Sequence, residues 1–420
     1  MNTLENIFSD LVKNGFKVST DTRKDLKGSV FFALKGESFD GNKFVKKALK
    51  SGAVIAITDN PKIKGRNIYV VKNVLKTLQE VATKYREKFG IPIIVIGGSN
   101  GKTTSKELVR DVLKIKYKVH ATEGSLNNHI GVPLSILSMK KDTEIGVFEI
   151  GANHPKEHLK LLEIIKPTYV VVTNNGMDHL EGFGSVKGAR KANKEIYDFA
   201  LQNKSVVFVN KNHKDLIKDS GINTKILYPR YKVRNTNESP LVLIHNKKKY
   251  KTQMTGSYNM ENIDLAIAIG NNFKIKTDEA LLAISKYTPT SKRSQILIKN
   301  KIKFIVDCYN ANPTSMKLSL ESFNKSTKGH RGVVFGEMLE LGKYSKIEHE
   351  KVLKYVLSKK MDRIILVGKA FRKVVKKNNK NLVWFPDSNS AKVWFWNQNF
   401  RGYTFLLKGS RGIKIENIIQ

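Results

Sequence analysis

"VIGGSNGKTTSKEL", residues 95–108, sets an apolar run against a glycine-rich turn, a lysine and two threonines. The usual phosphate loop, G-x-x-x-x-G-K-[ST], would need a glycine at 96, where this chain has Ile96. What remains is a compressed turn, Gly98-Ser99-Asn100-Gly101, leading into Lys102, Thr103 and Thr104. Its chemistry still suits a phosphate. Gly98 and Gly101 permit backbone angles closed to other residues, and a helix opening at Lys102 offers N–H groups and partial positive charge. Lys102 can reach β- and γ-phosphates, and the Thr103 hydroxyl can ligate Mg²⁺. The loop by itself indicates a nucleoside triphosphate and not what is done with it.

On both sides of this loop the pattern is short β-rich runs alternating with amphipathic stretches, which predicts parallel α/β units. Strands are expected at 29–34, 53–58 and 67–71, then a helix over 74–89 and a linker signal, "GIP", at 90–92. The run at 93–98 is continuous and apolar, as a strand buried on both faces should be. Further strands are expected at 146–150, 169–174 and 205–210. Residues 222–256 lose the rhythm and suggest an antiparallel insertion or edge, and a helix near 258–270 restores it. A third series has strands at 303–309, 332–336, 363–368, 382–386 and 404–409. The expected fold class is therefore α/β, with three consecutive domains: 1–89, 90–288 and 289–420. The central one is a phosphate-loop-type, mostly parallel sheet, and the C-terminal one is Rossmann-like.

Bulk composition bounds the reading. The 420 residues are 40% hydrophobic and 27% charged, as in a globular protein. The net charge of +38 comes from lysines spread along the whole chain, so it says little about partners. One cysteine, Cys308, rules out an internal disulfide and suits a reducing compartment. The start "MNTLENIFSD" does not read as a signal peptide, and no apolar run approaches the ~20 residues that cross a bilayer. A cytoplasmic protein without membrane association is expected.

The compressed loop resembles that of the Mur ligases and their folate-polyglutamate relatives, and other segments extend the resemblance in order along nearly the whole chain. "STDTRKDLKGSVFFALKGESFDGNKF" (19–44) is similar to the segment that holds the uridine nucleotide in the dipeptide-adding type; Thr22, Arg23, Lys35, Gly36, Asp40 and Gly41 match. "GSLNNHIGVPLSIL" (124–137) resembles the stretch beside the muramoyl-peptide, which implies substrate hydrogen bonds from Asn127 and Asn128. "EIGANHP" (149–155) and "TNNGMDHLEGFGS" (173–185) follow two apolar strands, where ligands bind in open α/β sheets. There the resemblance implies Glu149 and His179 as Mg²⁺ ligands with Thr103 and Thr104.

"GSYNMENIDLAIAIG" (256–270) resembles the segment beside the adenine, with Asn262 as the contact. "PTSKRSQ" (289–295) supplies Arg293 for the γ-phosphate. In "DCYNANPTSM" (307–316) Asp307 would hold the ribose hydroxyls, with Tyr309, Asn310 and Asn312 nearby. "GEMLELG" (336–342) and "LLKGSRG" (406–412) complete the set, the latter bringing Lys408, Ser410 and Arg411 to the incoming dipeptide's carboxylate.

The resemblance implies an ADP-forming, ATP- and Mg²⁺-dependent ligase that joins D-alanyl-D-alanine to UDP-N-acetylmuramoyl-tripeptide through an acyl phosphate, as a monomer. Two positions depart from it. Most relatives carry a carbamylated lysine in a segment like "AKGEIF"; here "ANKEIYDF" (192–199) puts Asn193 there, with Lys194 turned ~100° away on a helix. Glu337 stands where Asp is commoner. Three alternatives stay open: another Mur or folylpolyglutamate-type ligase, a catalytically weak homologue, or a basic ATP-dependent nucleic-acid binder. Against the last, no nucleic-acid-binding motif is present, and no nucleic-acid partner is expected.

Overall fold

A computed structural model describes residues 3–221, 225–236, 238–290, 292–375 and 380–420. The chain divides into two compact units: Met1–Val95 with Lys118–Ala152 and Lys156–Tyr169, and Ile96–Tyr117 with Asn153–Pro155 and Val170–Gln420.

In the first unit, four parallel strands lie in the order Val18–Ser19, Val30–Phe32, Ile55–Thr58, Ile68–Val70. Leu26, Phe31, Ala33, Val45, Ala48, Ala53 and Ala56 form one core cluster of this region. The helix Val74–Arg86 starts at Asn73, whose side chain accepts the Lys76 N–H. It ends three residues before the expected boundary at 89. The same unit carries Ile145–Glu149, buried along its whole length, paired in parallel with Val119–Ala121.

The strand Ile93–Gly97 falls on the division between the units, and all five of its residues are buried. In the second unit, Val206–Asn210 lies between Tyr169–Val172 and Lys225–Tyr228 and runs parallel to the latter. The stretch that loses its rhythm contains this edge strand and a small antiparallel sheet, Arg234–Asn235, Val242–His245 and Lys248–Lys251. Residues 222–224 and 237 of that stretch lie outside the described residues.

The C-terminal sheet has the order Gln295–Lys299, Ile302–Val306, Thr404–Lys408, Arg331–Gly336, Arg363–Val367, Leu382–Phe385. Its first pair is antiparallel and the others are parallel. Both faces are buried, Phe304, Val306, Val334 and Leu407 in one cluster and Ile305, Val333, Phe335 and Leu406 in the other. The hairpin strand Gln295–Lys299 is not expected from the sequence. Its two-residue turn is Asn300-Lys301, both left-handed at φ 51° and 60°, and it lacks the glycine that marks such turns.

Candidate active site

The buried strand Ile93–Gly97 delivers the chain to the compressed glycine turn, the candidate phosphate loop, and the helix Lys102–Leu113 receives it. The two glycines are needed for space as well as for angle. At Gly98, φ 111°, a Cβ would lie 2.4 Å from Thr173 Oγ1; at Gly101, φ 82°, it would lie 2.4 Å from Asn262 Oδ1. The helix has no side-chain cap and no acidic residue in its first turn, so the partial positive charge there is not offset locally. Thr103 is buried and Thr104 half-buried at this end.

The loop apex is not an open ring of amides. Ser99 N–H donates to Asn174 O (3.0 Å), Asn100 N–H to Asn174 Oδ1 (3.1 Å), and Asn174 Nδ2 to Asn100 O (3.1 Å). The orphan donors of the helix's first turn therefore carry the anion-binding capacity. Lys102 folds back across the loop, its amine donating to Gly98 O (2.6 Å) and Ser99 O (3.2 Å). Asn174 received no role from the sequence, although the polar end of an apolar strand was the signal.

Asn193 is buried beside this loop. Its Nδ2 donates to Asn175 Oδ1 (3.0 Å) and, at 3.4 Å, to Ser99 Oγ. Asn175 in turn donates to Asp215 Oδ2 (2.7 Å). Lys194 pairs along its own helix with Asp198 and is nearly half exposed.

A second chain of contacts leads away from the loop helix. Ser105 Oγ donates to Asn262 Oδ1 (2.9 Å), and Asn262 Nδ2 to Asn259 Oδ1 (2.8 Å). Asn259 Nδ2 then donates to Thr255 O (2.7 Å) and Ser294 Oγ (3.3 Å). Tyr258 shares its hydroxyl with Ser294 Oγ (2.9 Å) and reaches Asp307 Oδ2 (3.4 Å). Burial, with Asp307 close by, raises the Tyr258 hydroxyl pKa well above its ordinary value. Asn259 is a second residue the sequence reading missed; on a helix its spacing from Asn262 puts both on one face.

Arg293 sits between Lys292 and Ser294, both left-handed at φ 59° and 53°. Strain of this kind persists only where neighbours over-determine the backbone. Lys292 pairs with Glu416 (2.5 Å), and Lys292 O accepts the Cys308 N–H (3.0 Å). The Arg293 guanidinium lies 3.7 Å from the centre of the Tyr309 ring, and its Nε is buried without a hydrogen-bond partner among the described residues. Burial and the neighbouring Glu416 push the Cys308 thiol up to about 12, so it is not a nucleophile. Ser291 lies outside the described residues.

Asp307 and Lys408, given separate partners in the sequence reading, meet here. Lys408 is buried and donates to Asp307 Oδ2 (2.8 Å) and Asn310 O (3.3 Å). Ser410 is also buried; it donates to Ala311 O (3.3 Å) and accepts Leu339 N–H (2.9 Å). Arg411 is exposed, 5.3 Å from the Tyr309 ring centre, so Tyr309 lies close to two guanidinium groups. Asn310 is exposed and accepts the Ala311 N–H (2.8 Å).

His179, left-handed at φ 46°, places Nδ1 2.7 Å from Glu340 Oε2, and Glu340 is itself left-handed at φ 62°. The imidazole contact lowers the Glu340 carboxyl pKa below its ordinary value. Glu337 has a structural role: its Oε2 accepts the Ala370 N–H (2.6 Å).

In the first unit, Glu149 ends its strand almost fully buried. Oε1 accepts from Asn127 Nδ2 (2.6 Å), while Oε2 is buried without a hydrogen-bond partner among the described residues. Asn128 Oδ1 accepts the N–H groups of Ile130 (3.2 Å) and Gly131 (2.9 Å) where the helix Gly131–Leu137 begins. Asp40 caps the turn Gly41–Phe44 through Asn42 N–H (3.0 Å), and Gly41 packs against Leu34 O with no room for a Cβ. Arg23 is exposed and bound to Asp21 through two nitrogens, which holds the Asp21 carboxyl well below the usual range. Thr22 is half-buried next to it.

Among the described residues, no group of three or more His, Cys, Asp or Glu side chains gathers as a metal site, and no helix is long and apolar enough to cross a membrane.

Three family models match in succession: the Mur ligase family catalytic domain over residues 17–96, the Mur ligase middle domain over 96–270, and the Mur ligase glutamate ligase domain over 292–411. The UDP-N-acetylmuramoyl-tripeptide--D-alanyl-D-alanine ligase of Bacillus subtilis is 32% identical, the match covering 96% of this chain and 92% of that protein. Its Escherichia coli namesake is 28% identical with the same coverage. The crystal structure of MurF from Acinetobacter baumannii is 26% identical with a TM-score of 0.86, covering 96% of this chain and 92% of that one. The MurF structure from Thermotoga maritima, 24% identical with a TM-score of 0.82 and 96% of each chain covered, has the same fold. This chain, with its compressed glycine turn ahead of Lys102 and mostly parallel α/β sheets, belongs to the Mur ligase family.

Proposed function

We propose that this chain joins D-alanyl-D-alanine to UDP-N-acetylmuramoyl-tripeptide, with ATP cleaved to ADP and phosphate, as a cytoplasmic monomer with domains at 1–89, 90–288 and 289–420. The observation that carries the proposal is the loop Gly98–Gly101 with Lys102 folded over it, in a chain similar over 96% of its length to a ligase of that name.

A carboxylate repels nucleophiles, so the tripeptide's terminal carboxylate is first phosphorylated by ATP. The amine of the dipeptide then attacks the acyl phosphate, and the tetrahedral intermediate expels phosphate. Negative charge concentrates in both steps. Lys102 exchanges the carbonyls of Gly98 and Ser99 for β- and γ-phosphate oxygens, and Gly98, Ser99, Asn100 and Gly101 shape the turn. Arg293, held over the Tyr309 ring, meets the transferring phosphoryl group. Asn262 borders the adenine, and Asp307 and Asn310 the ribose. Arg411 is the exposed cation for the dipeptide carboxylate, with buried Lys408 and Ser410 fixing the ground beneath it. Thr22, Arg23, Asp40, Gly41, Asn127 and Asn128 serve the uridine nucleotide and muramoyl-peptide.

Mg²⁺, when bound, supplies Lewis-acid charge at the phosphates. Thr103, Thr104, Glu149 and His179 would hold it. The fit rests on Glu149 Oε2, a hard oxygen buried without a hydrogen-bond partner. The test is phosphate release from ATP that requires both the nucleotide-tripeptide and the dipeptide. Release with either one omitted, or with a single amino acid in place of the dipeptide, would overturn the proposal.

A further inference from the structure

The apex of the phosphate loop is gripped by side-chain amides from three segments. Asn174 holds the Asn100 backbone at both its N–H and its carbonyl. Asn193 reaches Ser99 Oγ from the helix Val186–Gln202. The third grip comes from far along the chain: Asn312 Nδ2 donates to Asn100 Oδ1 at 2.9 Å.

Asn312 is buried at the N-terminus of the helix Pro313–Ser326. Its two amide atoms have separate tasks. Oδ1 accepts the Ser315 N–H (2.8 Å) and caps that helix; Nδ2 holds Asn100. The cap settles which atom is which, because only oxygen can accept from an N–H. Asn100 has no comparable second anchor for its side chain. Its Nδ2 is buried without a hydrogen-bond partner among the described residues, and a Cβ on Gly176 would stand 2.6 Å from it. One further contact, Met177 N–H to Thr314 Oγ1 (3.2 Å), ties the neighbouring strand end to the same helix start.

We propose that Asn312 is a positioning residue that couples the phosphate loop to the C-terminal segment. The loop keeps its nucleotide-binding shape while the helix Pro313–Ser326 is seated, so nucleotide affinity depends on a side chain that acts through Asn100. The functional part rests on the reading of this loop as the ATP site. The coupling itself is independent of that reading.

Asn312→Ser separates the two tasks, because serine is a good helix cap but too short to reach Asn100. Hydrogen exchange of the loop amides, residues 98–104, is measured on the full chain without nucleotide, alongside calorimetric titration with ADP. The expected result is about fivefold faster loop exchange and about fivefold weaker ADP binding, the worth of one neutral hydrogen bond. Exchange in the helix Pro313–Ser326 stays as in the wild type. Asn100→Ala should do the same to the loop, and the double variant no more than either single one. Wild-type loop exchange in Asn312→Ser, or effects that add in the double variant, would overturn the coupling. A wild-type chain that binds no ADP would instead sink the nucleotide reading, with loop exchange still deciding the coupling.

Discussion

Asp264 lies on the helix Asn259–Asn272, two residues beyond Asn262, and lines a small cavity with Pro229, Arg230, Tyr231, Val233, Ile267 and Ala268. Burial first, and the like charge of Glu261 second, push its carboxyl up from 3.8 to about 7, while Lys211 opposes them. An acid whose folded pKa is raised binds a proton in the folded state that the unfolded chain has released. Its penalty is absent below about pH 4, grows through the interval, and is complete above about pH 7. Asp264→Asn removes that dependence. At roughly 1.4 kcal/mol per pKa unit, the variant's stability gain should be ~2–3 kcal/mol larger at pH 8 than at pH 5. Comparing two pH values cancels the cost of burying the asparagine amide, which does not titrate. Melting temperatures of both proteins at the two pH values would show a difference of several degrees between the gains. Equal shifts at pH 5 and pH 8 would mean that the Asp264 carboxyl is not raised in the folded chain.

Lys102→Ala should lower ligase turnover by at least ~10²-fold while the melting temperature stays near wild type, since the amine is spent only on the loop's own carbonyls. Gly98→Ala meets both a positive φ and Thr173 Oγ1 at 2.4 Å; ADP titration should show binding lost, and stability should fall by ~1–3 kcal/mol. Because Asn193 bears no amine and Lys194 is paired with Asp198, phosphate release should be the same with and without added bicarbonate; activation, or a carbamyl mass on Lys194, would contradict this. His213 is raised above 6.5 by its hydrogen bond to Glu261 (3.0 Å), so this pair stabilises below pH 6.5 and its contribution fades as pH climbs through the raised value. His213→Gln should therefore cost melting temperature at pH 6 and little at pH 9.

Much of the architecture was legible because burial on both faces leaves unbroken apolar runs. The strands at 93–97, 331–336, 363–367 and 404–408 lie within a residue or two of their expected positions. The hairpin strand Gln295–Lys299 was not legible: it is an edge strand, with Leu297 and Ile298 exposed, and its turn carries no glycine. Among the proposed site residues, the glycines, the loop lysine and the strand-end carboxylate are picked out by residue type and spacing. Asn174 and Asn259 do not, because asparagine is common in turns and its role depends on which amide it faces.

The linear order of residues was enough to settle the α/β class and the family, since each is written in local periodicity or contiguous motif. Who pairs with whom was decided only by folding. Lys408 and Asp307 are 101 positions apart, yet adjacent parallel strands end side by side and bring them to 2.8 Å. Asn312 and Asn100 are farther apart still, and they meet because a helix start packs on the loop. Hydrogen bonds act over about 3 Å, so a side chain's partner is set by what the tertiary structure puts within that reach.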